Sequence, residues 1–189
     1  MIEIKFLGRG GQGVVLASQM LARACFEEGL YPQSFSIFGG ERRGAPVAAF
    51  VRVDHRKIHL KCDIEQADHL VLFDSSPLDD ERLVTQIKPS GSILANMRGP
   101  LTRLKKSEGL TISLVDALEI SLKHGLGAII NTAMLGAYGR LSGLVQMDTL
   151  FRVMRETLPS SIDQNLAAAK DAFESVHPGM EEMEHLHGE

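Results

Sequence analysis

Short apolar runs that end on glycine, proline or an acid alternate along this chain with stretches whose apolar positions recur every three or four residues. The first run, IEIKFL at 2–7, ends at Gly8 as a buried strand would. After Gly13, residues Val14, Leu16, Ala17, Met20, Leu21, Ala24 and Cys25 form one broad apolar helix face, which Gly29 closes. Strands are predicted at Tyr31 to Ile37 and at Pro46 to Val53, around a loop, IFGGERRGAP, dense in glycine and charge. A short strand is expected around Ile58 to Leu60. HLVLFD, His69 to Asp74, is the clearest interior strand: a continuous apolar run ending on an acid. A helix is expected over Leu78 to Ile87. Pro89, Ser90 and Gly91 then turn into the strand SILANM, and LTISLVD offers one more strand ending at Asp116. The last third is helical in pattern, at Ala117 to Lys123, Ala128 to Leu141, Met147 to Thr157 and Ile162 to Val176.

Strands alternating with helices predict an α/β chain with a mostly parallel sheet covered on both faces. The expected fold is a three-layer α/β/α, Rossmann-like sandwich with a helical C-terminal part. At 189 residues the chain suits one domain, 1–178, followed by an acidic tail, 179–189. A hydrophobic content of 44% with 23% charge is that of an ordinary globular protein. No apolar stretch approaches the length of a membrane span, and no secretory signal opens the chain, so a cytoplasmic protein is expected. The net charge of −4 gives no global attraction to nucleic acid, and aromatics at 5% argue against base stacking. Two cysteines, Cys25 and Cys62, lie outside any cluster-binding spacing.

Gly8, Gly10 and Gly13 in GRGGQG satisfy G-x-G-x-x-G between a strand and a helix, the context in which that spacing serves a dinucleotide site. The ribose-binding acid is missing: the second strand ends in Phe38-Gly39-Gly40, and Glu41 lies in a longer loop. Arg9 puts a positive charge inside the turn, and Gln12 offers an amide to a ligand or a neighbouring loop. An anionic group beside this helix N-terminus is chemically reasonable, as is a partner's carboxylate. In the second loop Glu41, Arg42 and Arg43 stand between Gly39-Gly40 and Gly44. His55 and His59, and His185 and His187, read as solvated histidines rather than metal ligands. Asp74-Ser75-Ser76 reads as an acid ending a strand with serines capping the next helix. Asn131 reads as the N-cap of a long helix, with an amide at a subunit interface as the functional alternative.

GRGGQGVVLASQML together with FGGERRGAPVAAFVR resembles the gamma subunit, or gamma domain, of the 2-oxoacid:ferredoxin oxidoreductases, which include pyruvate and 2-oxoglutarate oxidoreductases. HLVLFD and NTAMLGAYGRLSGL extend the resemblance over residues 2 to about 173. Gly40 stands where such proteins usually carry proline.

The resemblance implies a multisubunit enzyme that oxidatively decarboxylates a 2-oxoacid to an acyl-CoA and passes electrons to ferredoxin or a similar acceptor. Thiamine diphosphate with magnesium and iron–sulfur clusters would be held by alpha-, beta- and delta-type chains. This chain alone would be inactive, with neither cluster-binding cysteines nor a thiamine motif of its own. Its expected functional surface is Gly8, Arg9, Gly10, Gly11, Gln12 and Gly13 with Phe38, Glu41, Arg42, Arg43 and Gly44, and with Asn131 nearby. Arg9, Arg42 and Arg43 would meet anionic groups of CoA or of a partner chain, with Glu41 orienting them. The rival readings are a free-standing NAD(P) oxidoreductase, whose Arg42 and Arg43 read a 2′-phosphate, and a non-catalytic scaffold.

Overall fold

Ile2–Arg9 forms the central strand β1, and Gly13, in the left-handed conformation at φ 80°, turns the chain into helix α1, Val14–Glu27. The helix ends where glycine was expected to end it: Gly29 adopts φ 82°, its N–H donates to the Phe26 carbonyl, and the Leu30 N–H donates to the Cys25 carbonyl. The chain then forms a hairpin of β2, Tyr31–Phe38, and β3, Pro46–Asp54, followed by β4, Ala67–Leu72. Strands β5, Ile87–Asn96, and β6, Thr111–Val115, complete the parallel part. Helices α2, Ala117–Lys123, α3, Asn131–Ser142, α4, Met147–Thr157, and α5, Ile162–Ser175, precede a two-residue strand β7, His177–Pro178. This computed structural model describes residues 1–38, 44–99 and 109–179. Glu41, Arg42 and Arg43 of the hairpin loop and the acidic tail from 180 lie outside them.

The seven-stranded sheet has the order β2-β3-β1-β4-β5-β6-β7. Strands β1, β2, β4, β5 and β6 run one way, and β3 and β7 run the other. The α/β reading with a mostly parallel sheet therefore holds. Alternate residues of each strand feed two cores. On one face Ile4, Phe6, Val51, Val71, Phe73, Leu94 and Val115 pack against α1 and α3, with α2, α4 and α5 joining the same core. On the other face Phe50, Leu70, Leu72, Ile93 and Leu114 are covered by Ile64, Leu78 and Leu83. No α-helix lies on that face among the described residues; its cover is two 3-10 turns, Ser76–Asp79 and Glu81–Gln86, and the segment 55–66.

Those two turns replace the helix expected over Leu78 to Ile87. Asp80 interrupts it with extended backbone, φ −95° and ψ 113°, and its carboxylate accepts from the Arg82 N–H. The strand expected at Ile58 to Leu60 is likewise absent. Its segment is drawn onto the sheet by Arg52, which donates to the Asp63 carbonyl at 3.2 Å and lies 3.7 Å from Cys62 Sγ. Arg52 is 1% exposed, pairs with Glu3 at 2.9 Å, and lies over the Phe35 ring. Lys88 bridges Glu3 and Asp68 at 2.9 Å each, so a line of ion pairs crosses this face. The turn expected at Pro89 to Gly91 is an irregularity inside β5, with Ser90 at φ 63°.

Candidate functional site

β1 and β3 pair antiparallel along their whole length, which sets Arg9 opposite Pro46. The glycine turn and the hairpin loop therefore leave the sheet side by side, two motifs separated in sequence but joined in space. The Gly10 N–H donates to the Ala45 carbonyl at 2.9 Å, and the Gly44 N–H donates to the Gly10 carbonyl at 3.2 Å. Arg42, Arg43 and Glu41 lie outside the described residues, but the flanks on which they are carried, Phe38 and Gly44, end at this junction.

Gln12 closes the turn on itself. Its Oε1 accepts from the Arg9 N–H at 2.7 Å, and its Nε2 donates to the Phe73 carbonyl at 3.3 Å. Asn96 Nδ2 donates to the same carbonyl at 3.1 Å, so the ends of β4 and β5 are tied to the turn. The amide expected to reach a ligand or loop thus serves its own turn and the neighbouring strand end. Gly8 has no room for a side chain: a Cβ there would lie 2.7 Å from Val14 and 2.8 Å from Phe73. Gly13 is constrained twice, by its left-handed backbone and by Asn131, whose Cβ would lie 2.8 Å away.

Arg9 is bound within the chain. Its Nε ion-pairs with the Asp74 carboxylate, and its Nη2 donates to Ser76 Oγ at 3.3 Å. Asp74 also accepts from the Ser76 N–H at 2.8 Å. Burial works to raise the Asp74 carboxyl, yet hydrogen bonds from Ser76 and Arg9 outweigh it and hold it below the usual carboxylate value. The serines, expected to cap the following helix, make no side-chain cap to the turn that stands there; Asp74 organises this strand end instead. Arg9 keeps half of its side-chain surface in solvent, at 51%, so its outer face is open to an anion.

Asn131 is not the N-cap of α3. That position belongs to Ile130, and the buried Asn131 accepts from the Thr132 N–H through Oδ1 while packing on Gly13. It supports the turn from beneath. The turn itself separates two clefts. One, of about 420 Å³, is lined by Leu7, Arg9, Ile37, Val47, Asp74 and Pro77. The other, of about 380 Å³, is lined by Gly10, Gly11, Val15, Leu16, Ile129 and Asn131. Sequence reasoning missed Asn96 and gave Ser76 only a capping role, because the roles of both depend on where β4 and β5 end.

This geometry removes the dinucleotide reading. In a dinucleotide fold the strand beside β1 runs parallel to it and delivers the ribose-binding acid at its C-terminal end. Here the antiparallel β3 occupies that place, and its first residue, Pro46, stands beside Arg9.

The donor set also speaks to metal clusters. A cysteine-ligated iron–sulfur cluster needs four thiolates, and the chain has two cysteines. Cys25 is buried in the helix-side core, where burial and nearby Glu28 push its thiol up to about 12. Among the described residues no group of three His, Cys, Asp or Glu gathers as metal ligands, and no helix is long and apolar enough to cross a membrane. His55 and His59 are exposed.

Residues 3–175 match the pyruvate ferredoxin/flavodoxin oxidoreductase family. The chain is 42% identical over 181 residues to pyruvate synthase subunit PorC of Methanothermobacter marburgensis, covering 95% of this chain and 100% of that one. It is 42% identical over 178 residues to the pyruvate/ketoisovalerate oxidoreductases common subunit gamma of Thermococcus kodakarensis, covering 92% and 96%. Among solved structures, the pyruvate oxidoreductase subunit PORC of Thermotoga maritima superposes with a TM-score of 0.79 at 32% identity, covering 95% of this chain and 98% of that one. The 2-oxoglutarate:ferredoxin oxidoreductase of Magnetococcus marinus shares the fold, with a TM-score of 0.76 at 22% identity over 92% of this chain and 31% of that one. This chain belongs to the pyruvate ferredoxin/flavodoxin oxidoreductase family, as a gamma-type subunit of the 2-oxoacid:ferredoxin oxidoreductases.

Proposed function

We propose that this chain shapes CoA access and subunit contact in a thiamine-dependent 2-oxoacid oxidoreductase, through the joint surface of its glycine turn and hairpin loop. The observation that carries this reading is the pair of backbone hydrogen bonds between Gly10 and the Gly44-Ala45 segment. They hold the flanks of a loop bearing Arg42 and Arg43 against the turn bearing Arg9. Guanidinium groups suit phosphates and carboxylates, so the surface favours the anionic end of CoA or an acidic partner segment. Thiamine diphosphate with magnesium supplies the decarboxylation chemistry in the assembled enzyme, and iron–sulfur clusters supply the electron path. Alpha-, beta- and delta-type subunits hold these groups. The role of this chain is to bind and orient, with Gln12, Asp74 and Asn131 keeping the turn in place.

Selection of the 2-oxoacid belongs to other chains. One relative is a common subunit of pyruvate and ketoisovalerate oxidoreductases, and another, 36% identical, is a gamma subunit of a phenylglyoxylate dehydrogenase from Aromatoleum evansii. Gamma-type chains that serve enzymes of such different acids suit a role in the common part of the reaction better than one in choosing the acid. Replacing Arg42 and Arg43 by alanine in the assembled enzyme is expected to raise the apparent KM for CoA about tenfold, the loss of about 1.4 kcal/mol of binding, or to weaken subunit assembly. Unchanged assembly and unchanged kinetics would overturn the reading.

A further inference from the structure

The sheet has two edges of very different character. One ends in β7, two residues long, which offers little backbone to another chain. The other is β2, eight residues long, and among the described residues no strand pairs with its outer side. Open edges are normally blunted by lysine, by inward-pointing charge or by a bulge. The β2 sequence, YPQSFSIF, has no charged residue, and its pairing with β3 runs without a register break from Tyr31 opposite Asp54 to Phe38 opposite Val47.

Pro32 fixes which groups this edge presents. Lacking an N–H, proline is tolerated in an antiparallel edge strand only where that position turns away from the neighbour. Residues alternate in this respect, so Ser34 and Ser36 share the outward set with Pro32, whereas Tyr31, Gln33, Phe35 and Ile37 bond to β3. The side chains point to a particular occupant. Tyr31 and Ile37 are large apolar residues exposed on β2, at 47% and 48%, and they lie at equal distances on either side of Ser34. They share the sheet face of Phe35, whose ring stacks on Phe50 with centroids 4.9 Å apart.

We propose that β2 pairs antiparallel with β2 of a second copy of this chain, about a twofold axis passing between the two Ser34 residues. This register puts Tyr31 of each copy opposite Ile37 of the other and Gln33 opposite Phe35. The twofold covers both exposed apolar side chains twice, with cross-strand contacts of the kind that stabilise sheets. The two Ser34 residues exchange both backbone hydrogen bonds, and each Ser36 N–H donates to the other copy's Pro32 carbonyl. Proline's missing N–H leaves each Ser36 carbonyl without a donor from the other copy, so four backbone hydrogen bonds carry the contact, two at the Ser34 pair and one at each Ser36–Pro32 pair. With no charge on the strand, bringing it against itself meets no like-charge repulsion.

The register makes the test specific. Two residues in a hydrogen-bonded antiparallel pair have Cα atoms about 5.5 Å apart, inside the range of about 4.4–6.8 Å that a disulfide spans. The full chain carrying Ser34→Cys in a Cys62→Ser background, oxidised with diamide, is expected to yield a covalent dimer. Tyr31→Cys in the same background should cross-link roughly tenfold less, because the two copies of position 31 stand about 20 Å apart. Adding Tyr31→Lys to the Ser34→Cys chain should suppress the dimer while leaving its circular-dichroism melt unchanged, since Tyr31 is exposed. Cross-linking of Ser34→Cys no greater than that of Tyr31→Cys overturns the proposal and leaves this edge to a different subunit or to solvent.

Discussion

On the helix-covered face, α3 approaches α5 so closely that a Cβ on Gly136 would lie 1.9 Å from the Ala169 carbonyl oxygen. On the opposite face a buried guanidinium, Arg52, anchored in the sheet by Glu3 and Gln33, holds the 55–66 segment down through the Asp63 carbonyl. The first face is fixed by apolar contact and small residues, the second by directional polar bonds. Apolar packing tolerates little change of volume, whereas a polar network tolerates little change of partner. The glycine turn lies where the two regimes meet, packed on Asn131 from the helix side and tied by Arg9 to Asp74 and Ser76.

The largest expected effect is therefore on the helix side. Gly136→Ala should cost more than about 3 kcal/mol, because backbone must move to admit one methyl group, and the gain in helix propensity recovers only a fraction. A thermal melt should fall by about 6–12 °C or lose its cooperativity. On the polar face, Arg52→Met keeps the volume but strips Glu3 of one cation and the Asp63 carbonyl of its donor. With Lys88 still paired to Glu3, a loss of about 2 kcal/mol is expected in urea unfolding, and Glu3→Gln added to it should restore part of that loss.

Smaller effects sharpen the boundary between the faces. Gly13→Ala forces a left-handed alanine against Asn131 and should cost about 1–2 kcal/mol. Asn131→Gly beside it removes the Cβ that the new methyl group would meet, and the double variant should be less unstable than the sum of the two. The smallest effect concerns His69, which hydrogen-bonds Ser92 and lies edge-on to the buried Tyr138 ring. Burial lowers its pKa below 6.5, with Asp68 opposing and Lys88 assisting. The unfolded chain then binds a proton more readily than the folded one. Stability is full above about pH 6.5 and declines as the pH falls toward the folded value. His69→Gln should flatten that part of the pH profile measured by denaturant unfolding.

The elements carried by amphipathic patterns, such as α1, α4 and α5, were legible because one face of each is buried, whereas α3 and β3, buried all round or on both faces, were legible as apolar runs. What stayed hidden depended on residues distant in sequence. Arg52 sits in β3 at a position that alternation gives to the polar face, yet it is buried by a segment whose path only the fold reveals. Asp80 broke a helix that its neighbours favoured, through a bond to the Arg82 backbone. At the site, the two glycine motifs were visible separately, and their resemblance to one family joined them. Their contact followed from an antiparallel strand, β3, inserted beside β1, which a G-x-G-x-x-G spacing does not announce. The engagement of Arg9 by Asp74 was equally unreadable, since both residues had other roles in view.

The central claim, that this gamma-type chain works through its turn and hairpin loop inside a larger enzyme, is tested most directly by reconstitution. The measurement is 2-oxoacid-driven dye reduction by the other subunits of the enzyme, with CoA supplied, with and without this chain. Activity is expected only when the chain is added, none from the chain alone, and a raised KM for CoA or incomplete assembly with Arg42→Ala/Arg43→Ala. Full activity and assembly without the chain would contradict the account.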